Sequence, residues 1–457
     1  MGLFKLKGFP GSGSFPHGIH PPDNKALSVN MAVEVMETPR TVTLPLLQHL
    51  GVPCKQIVKS GETVSYGQMV GKGEAFVSAS LHAPIAGKVK RNTMVTLPNG
   101  RHLDAITIQA EGEQIPPERI WEEVKFTEWL RPMDSFSDYE PMDIVKKIQS
   151  SGIVGLGGAA FPTHVKVMPN DTRVIDTLIV NGCECEPYLT CDYRLMVEAP
   201  EAIVAGALLA GRAVSAREIV ICVEDNKPEA IRRLQDAARQ TVAQIVVLKT
   251  KYPQGSEKHL VKAVLGLEIP LGGLPADAAV AVSNVQTMAT VARSIINDIP
   301  MTHRVISVSG RGICNPKNIF VPIGVSLAEV VDFCGGLTPD AARIISGGPM
   351  MGFSFSDLSA PVTKGASGLT VLTHEEVRRA EETHCVRCGR CVDACPMNLV
   401  PTRLALAARY NNPELAGQYH IRACVECGCC AYVCPAKLNL VQLIRAGKVQ
   451  LNAWERR

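Results

Sequence analysis

Between residues 384 and 435 the chain reads C-V-R-C-G-R-C-V-D-A-C-P and then C-V-E-C-G-C-C-A-Y-V-C-P. Cys385, Cys388 and Cys391 recur at three-residue steps, and Cys395 follows just ahead of Pro396. Cys424, Cys427, Cys430 and Cys434 repeat the pattern ahead of Pro435. Three thiolates so spaced on a curling loop can hold three corners of an iron–sulfur cubane, while the next cysteine starts a helix heading away. A zinc site needs only two Cys-x-x-Cys pairs and would leave the other evenly placed cysteines without a use. Cys429 falls off the repeated step and reads as a packed thiol. The chemistry of such a segment is transfer of single electrons.

A second candidate site opens at residue 151 with S-G-I-V-G-L-G-G-A-A-F-P-T-H-V-K. The small residues Gly155, Gly157, Gly158, Ala159 and Ala160 allow close approach of the backbone to a planar or phosphorylated ligand, and a helix starting just after them favours anions. The run is neither a dinucleotide G-x-G-x-x-G nor a Walker loop. Three further segments keep it company: N-G-C-E-C-E-P from Asn181, Y-P-Q-G-S-E-K from Tyr252 and S-N-V-Q-T from Ser283. Cys183, Cys185 and Cys191 are irregularly spaced and read as small buried residues, not as a further metal site.

The elements that must carry these residues alternate between strand and helix. From Thr177 the segments TLIVNG, PEAIVAGALLAGRAV, EIVICVE, KPEAIRRLQDAARQ and IVVLKT predict a parallel α/β sheet. Ahead of them, residues 41–110 read as short β segments separated by glycine turns, then a linker over residues 121–139 leads to a helix at DIVKKIQSSG. Residues 303–350 predict a small, turn-rich β unit. Helical periodicity returns between the cysteine motifs in PTRLALAARYNNPELAGQYHI, and after them in LNLVQLIRAGKVQL.

At 457 residues, 46% hydrophobic and 20% charged, the chain is long enough for roughly three globular units. The longest mainly apolar stretch, residues 202–214, is interrupted by glycines and Arg212 and is too short to span a bilayer. No apolar run of signal-peptide length opens the sequence, so the sixteen cysteines are expected as thiolate ligands in a reducing cytosol and not as disulfides. From His374 onward twelve Lys/Arg face eight Asp/Glu. Two bound clusters, at roughly two negative charges each, would offset that excess, so no nucleic-acid surface is expected.

The cysteine segment resembles two-cluster ferredoxins. That resemblance implies crossed ligation, with Cys385, Cys388, Cys391 and Cys434 on one [4Fe–4S] cluster and Cys424, Cys427, Cys430 and Cys395 on the other. Residues 41–110 are similar to the barrel-sandwich module of lipoyl and biotinyl carriers. The position of the carrier lysine, seven residues before Ala83, holds Phe76. No swinging arm is therefore expected, and the module is assigned a docking or scaffolding role. The β unit resembles a soluble-ligand-binding β-grasp (SLBB) domain.

Together, the segments at 155, 181, 252 and 283 resemble the flavoprotein subunit of respiratory complex I, which binds FMN and oxidises NADH. The resemblance implies that Gly155, Gly157 and Gly158 lie against flavin and nucleotide, that Phe161 stacks on adenine and that Lys166 reaches cofactor oxygens. Asn181 and Asn284 would hold FMN with Thr287 at its phosphate. Glu257, kept in a G-S-E that replaces G-E-E, would line the same site. Glu184 and Glu186 would line the cleft where nicotinamide meets flavin, positioning and tuning hydride transfer. Cys183 stands where that family has an acid, and S-N-V-Q-T where it has N-N-V-E-T.

With G-I-H-P-P-D-N-K from Gly18, the whole chain is similar to the RnfC family of Rnf electron transport complexes. The implied fold is multidomain α/β: a barrel-sandwich hybrid within residues 1–115, an FMN/NADH-binding α/β domain at 140–300, an SLBB-like β-grasp at 301–355 and a helical two-cluster ferredoxin-like domain at 374–457. The implied function is NADH oxidation in a membrane-bound, ion-translocating NADH:ferredoxin oxidoreductase, on the cytoplasmic face and peripheral. Electrons would pass via FMN and two [4Fe–4S] clusters to partner subunits, and through one of these to ferredoxin. Corrinoid reductases share the glycine run and the clusters but open near that run, without the long barrel extension. The other alternative is a non-enzymatic electron relay.

Overall fold

The computed structural model describes residues 8–130, 136–169, 174–377 and 381–456. Residues 131–135 of the expected linker and Arg378, Arg379 and Arg457 of the basic count lie outside the described residues. Eight short strands between Thr41 and Ala110 form two small sheets, one of five strands and one of three. Strand Thr41–Pro45 pairs antiparallel with His102–Ala110. Val42, Leu44, Val64, Val70, Leu81, Val89, Ile106 and Ile108 turn inward and are buried. This alternation of inward and outward residues is what a sandwich of short strands requires.

The linker expected from residue 121 is helical in part. Pro117–Phe126 forms a helix with proline in its first turn, where no backbone donor is lost. Its Ile120, Trp121 and Val124 are buried, and the Trp121 ring lies 5.1 Å from that of Phe320. Four glutamates and a Pro-Pro pair in the neighbourhood mask the apolar i, i+1, i+4 stripe in the sequence.

The central layer is a four-stranded sheet in the order Ala243–Leu248, Glu218–Glu224, Thr177–Asn181, Val280–Asn284, every pair parallel. Such a sheet is covered on both faces, so its strands read as continuous apolar runs. Helix Pro200–Val214 is buried along nearly all its length, which explains its glycine- and alanine-rich composition: it is an interior helix, not a membrane span. Among the described residues no helix is long and apolar enough to cross a membrane.

The β-grasp region belongs to a six-stranded sheet ordered Val33–Val35, Lys317–Pro322, His303–Ser309, Gly368–Thr373, Ala341–Ser346, Phe353–Phe355. Its central strand Gly368–Thr373 comes from beyond residue 355, and one edge strand comes from the N-terminal region. The barrel is likewise not a detached module. Its core residues Val42, Val64 and Ile108 belong to one apolar cluster with Ile148, Val180 and Leu208 of the α/β layer. At that junction the fully buried Lys364 ammonium donates to Ser80 O and Gly152 O, both at 2.6 Å. Burial pushes this lysine down to about 7. The carrier-lysine position, Phe76, presents its backbone oxygen 3.0 Å from His164 Nε2.

After residue 381 the chain is helical. Helices Pro401–Arg409, Pro413–Gln418 and Leu440–Glu455 pack around the two cysteine loops through Leu404, Ala416, Ile444 and Leu451. The two motifs share one backbone course. Arg387 and Glu426, Gly389 and Gly428, and Asn398 and Lys437 occupy equivalent places and all have positive φ. The cysteine repeat in the sequence is therefore a structural repeat.

Candidate flavin cleft and iron–sulfur sites

Asn181 and Asn284 end adjacent parallel strands and face each other in register. The carboxyl ends of the strands are where an open α/β sheet binds ligands. Asn284 caps helix Val285–Ile296: its Oδ1 accepts from Gln286 N at 2.8 Å and its Nδ2 donates to Asp192 Oδ2 at 2.7 Å. Gln286 Nε2 donates to the other oxygen of the same buried carboxylate at 2.9 Å. Asn181 donates to Gly255 O at 2.8 Å and accepts from Cys183 N at 3.1 Å. The four segments singled out in the sequence thus meet at one end of the sheet.

Over that end runs the glycine loop, closed at its base by Gly155 N donating to Phe161 O at 2.8 Å. Leu156 N donates to Thr287 Oγ1 at 3.0 Å, which ties the loop to the helix start. Gly157, Gly158 and Ala159 are exposed and Phe161 is half-buried. A side chain at Gly157 would come within 2.9 Å of the Asn284 amide, whereas a Cβ at Gly158 would meet nothing within 4 Å. The loop leaves bare backbone beside open space, the cradle a flat cofactor requires. Lys166 and Glu257 stand together at its edge, 2.5 Å apart.

Glu184 and Glu186 lie in the turn that follows Asn181, and both carboxylates are held by backbone donors. Glu184, in the left-handed region at φ 46, accepts from Asp192 N at 2.7 Å and Tyr193 N at 3.2 Å, which caps helix Cys191–Glu198. Glu186 accepts from Met350 N at 3.2 Å and Met351 N at 2.8 Å, across the boundary to the β-grasp sheet. Burial pushes both up to about 7. Lys25 opposes the rise at Glu184, and the two amide donors oppose it at Glu186. Cys183 and Cys191 are buried, and Cys185 accepts from Gly255 N at 3.3 Å through its sulfur.

The eight motif cysteines surround two hollows. Cys395, Cys424, Cys427 and Cys430 line the smaller. Cys385, Cys388, Cys391 and Cys434 line the larger. No three of these eight thiols lie within 4.8 Å of one another, the approach that a single tetrahedral zinc ion with Zn–S bonds of about 2.3 Å demands. Four sulfurs spread around a hollow fit a cubane instead. Leu399 N and Glu426 N approach the sulfurs of Cys395 and Cys424 at 3.4 Å each, the amide-to-sulfur contacts that tune a cluster. Cys429 is fully buried and also lines the smaller hollow.

The smaller hollow abuts the cleft. Tyr252 OH donates to Cys427 O at 2.7 Å, and Tyr252, Cys427 and Cys429 share an apolar group with Cys185 and Met350. Asp192, Gln286 and Tyr252 thus join the hydrogen-bond network at this end of the sheet. Tyr252 and Gln286 had a signal, as members of Y-P-Q-G-S-E-K and S-N-V-Q-T. Nothing in the spacing of Asp192 marks a side chain that reaches Asn284 and Gln286.

A flavin-cradling α/β layer joined to a two-hollow cysteine domain defines an iron–sulfur flavoprotein of the NADH-dehydrogenase type. Comparison with known proteins agrees segment by segment. Residues 13–113 match the RnfC barrel sandwich hybrid domain, 148–293 the Nuo51 FMN-binding domain, 305–354 the SLBB domain and 384–438 the 4Fe-4S dicluster domain. The chain is 42% identical to a subunit of the proton-translocating ferredoxin:NAD(+) oxidoreductase complex of Clostridium ljungdahlii, over 94% of this chain and 93% of that one. It is 40% identical to the counterpart in the Na(+)-translocating complex of Acetobacterium woodii, over 97% and 98%. The chain belongs to the RnfC family. A chain of an NAD+-reducing [NiFe]-hydrogenase shares the fold at TM-score 0.50 and 19% identity, over 74% of this chain and 70% of that one.

Proposed function

We propose that this chain oxidises NADH at the cleft beneath the 155–161 loop and hands the electrons on through the two cysteine-lined hollows, as a peripheral subunit of an ion-translocating ferredoxin:NAD(+) oxidoreductase. The observation that supports this reading most directly is the contact between the two sites, where Tyr252 spans from the cleft turn to Cys427. FMN in the cleft supplies the conversion that the hollows require, since NADH gives up two electrons as a hydride and a cubane takes one at a time.

The chain's own residues orient and insulate. Gly157 and Gly158 leave room for the ring system, and Asn181 and Asn284 offer amides at the strand ends. Thr287 fixes the loop above them, and Phe161, Lys166 and Glu257 form the outer edge that receives the nucleotide. Glu184 and Glu186 position the nicotinamide side and set its charge. Cys395, Cys424, Cys427 and Cys430 hold the cluster nearer the cleft. Cys385, Cys388, Cys391 and Cys434 hold the outer one, where Cys385 and Cys388 are exposed beside Val386. That face is where an electron-accepting partner protein docks on the cytoplasmic side of the membrane, with ferredoxin served through it. The barrel scaffolds the cleft and docks the chain onto membrane subunits.

The test is NADH-driven reduction of a one-electron dye by the isolated chain. Glu184→Gln and Glu186→Gln each keep an acceptor for the backbone donors but remove the charge. Either variant should slow the reaction by about tenfold, equivalent to roughly 1.4 kcal/mol, with iron content unchanged. Wild-type rates in both variants would remove these two acids from the hydride site. A wild-type chain inert to NADH would favour the non-enzymatic relay.

A further inference from the structure

A lysine on the surface keeps its ammonium in water, and a buried one needs partners for every proton. Lys25, in G-I-H-P-P-D-N-K, is buried far from any surface role. Its Nζ donates to Glu184 O at 2.9 Å, to Glu186 O at 3.0 Å and to Leu189 O. All three ammonium protons are therefore spent on one turn, and the Glu184 carboxylate stands 3.9 Å away. That turn contains two non-glycine residues with left-handed backbone, Glu184 at φ 46 and Tyr188 at φ 68. Such residues cost on the order of 1–3 kcal/mol each and persist only where the surroundings fix them.

The segment around Lys25 supplies that fixation along its length. Tyr188 N donates to Asp23 O at 2.8 Å, and the hydroxyls of Ser28 and Thr190 lie 2.8 Å apart. Upstream, Ile19 pairs with Tyr252 on the path to Cys427, and Gly18 N donates to Ala394 O beside Cys395. The N-terminal segment is thus a strap laid from the inner cluster hollow to the cleft turn.

We propose that Lys25 is a positioning residue for NADH oxidation: its ammonium, caged by the carbonyls of residues 184, 186 and 189, holds the acid-bearing turn in its strained course and places a fixed positive charge beside the flavin cleft. The inference rests on the NADH-oxidising reading above and adds a residue that the glycine and asparagine motifs do not contain. A flavin held in the cleft would gain negative charge on reduction, so the Lys25 ammonium beside it would favour the reduced form.

The experiment compares wild type with Lys25→Met, of similar length and uncharged, with Lys25→Arg, which keeps the charge but not the three-point cage, and with Ser28→Ala, which loosens the strap and leaves the ammonium. Hydrogen exchange of the peptide over residues 184–193 is followed without added cofactor. Flavin midpoint potential and the KM and kcat for NADH are followed in the holo chain. In Lys25→Met, exchange should quicken, KM for NADH should rise about tenfold with a smaller change in kcat, and the midpoint potential should fall. Lys25→Arg should hold the potential near wild type while KM rises, and Ser28→Ala should quicken exchange and raise KM less than Lys25→Met does, with the potential unchanged. Unaltered KM and potential in folded Lys25→Met would overturn the proposal, as would a chain that fails to fold with either replacement, since Lys25 would then act in stability alone. A wild-type flavin that NADH does not reduce would instead defeat the functional reading itself, whatever the variants show.

Discussion

Replacing Cys395 with alanine should damage the cluster bound by Cys424, Cys427 and Cys430, although Cys395 belongs to the other motif in sequence. Cys434→Ala should damage the cluster bound by Cys385, Cys388 and Cys391. The helices that leave each cysteine loop carry the fourth thiol across the repeat, so Cys395 lines the hollow of the second motif and Cys434 that of the first. Losing one thiolate from a cubane releases iron or recruits another ligand, so the affected centre should show an altered electron paramagnetic resonance signal. Full loss would lower iron from about eight to about four atoms per chain. Cys429, buried at the edge of the same hollow as Cys395, is the thiol placed to substitute there, and the double variant Cys395→Ala/Cys429→Ala should then give the larger loss. Cys388→Ala must disturb the same centre as Cys434→Ala. Should Cys388→Ala and Cys395→Ala strike a single centre while the other stays native, ligation is uncrossed.

Gly158→Leu should abolish flavin binding without disturbing either cluster. The position has no left-handed φ to strain and a Cβ there has no neighbour within 4 Å, so the folded chain accepts the side chain. The added bulk projects into the space beside the exposed backbone of the loop. Affinity for FMN should fall by at least ~100-fold, about 2.7 kcal/mol, read from quenching of flavin fluorescence on titrating the flavin-free chain. Gly157→Ala makes an instructive companion. Its Cβ would press on the Asn284 amide, which is already shared between Gln286 N and Asp192, so that variant should lose stability as well as flavin. FMN content at wild-type levels in Gly158→Leu would move the cofactor away from this loop.

The cysteine domain was the most legible part of the sequence because its spacing is imposed by a covalent object, and the same spacing recurs with the same backbone turns. The parallel sheet was nearly as legible: strands buried on both faces leave long apolar runs, and TLIVNG and EIVICVE could hardly be anything else. The glycine loop and the two asparagines were readable as parts, and the sheet register that aligns Asn181 with Asn284 makes them one site.

What sequence periodicity did not carry was long-range. The strand at residues 33–35 and the one at 368–373 join one sheet from opposite ends of the chain, and no local pattern announces a partner so distant. Trp121 reads as linker in the sequence because the glutamates around it hide a short apolar stripe. Lys25 and Lys364 were invisible as structural residues, since lysine is ordinarily solvated and each is buried here only because several carbonyls converge on it. The continuity of the barrel with the α/β layer had no local signal either. Residues as far apart as Val42 and Leu208 share its core, so its scaffolding part is continuous with the cleft it flanks.

The most direct test of the whole account is an absorbance spectrum of the anaerobically purified chain, recorded before and after addition of NADH. The account predicts a flavin band superimposed on broad iron–sulfur absorbance, with the flavin band bleached by NADH and the iron–sulfur absorbance then lowered as electrons reach the clusters. Iron–sulfur absorbance alone, unchanged by NADH in a chain reconstituted with FMN, would contradict it.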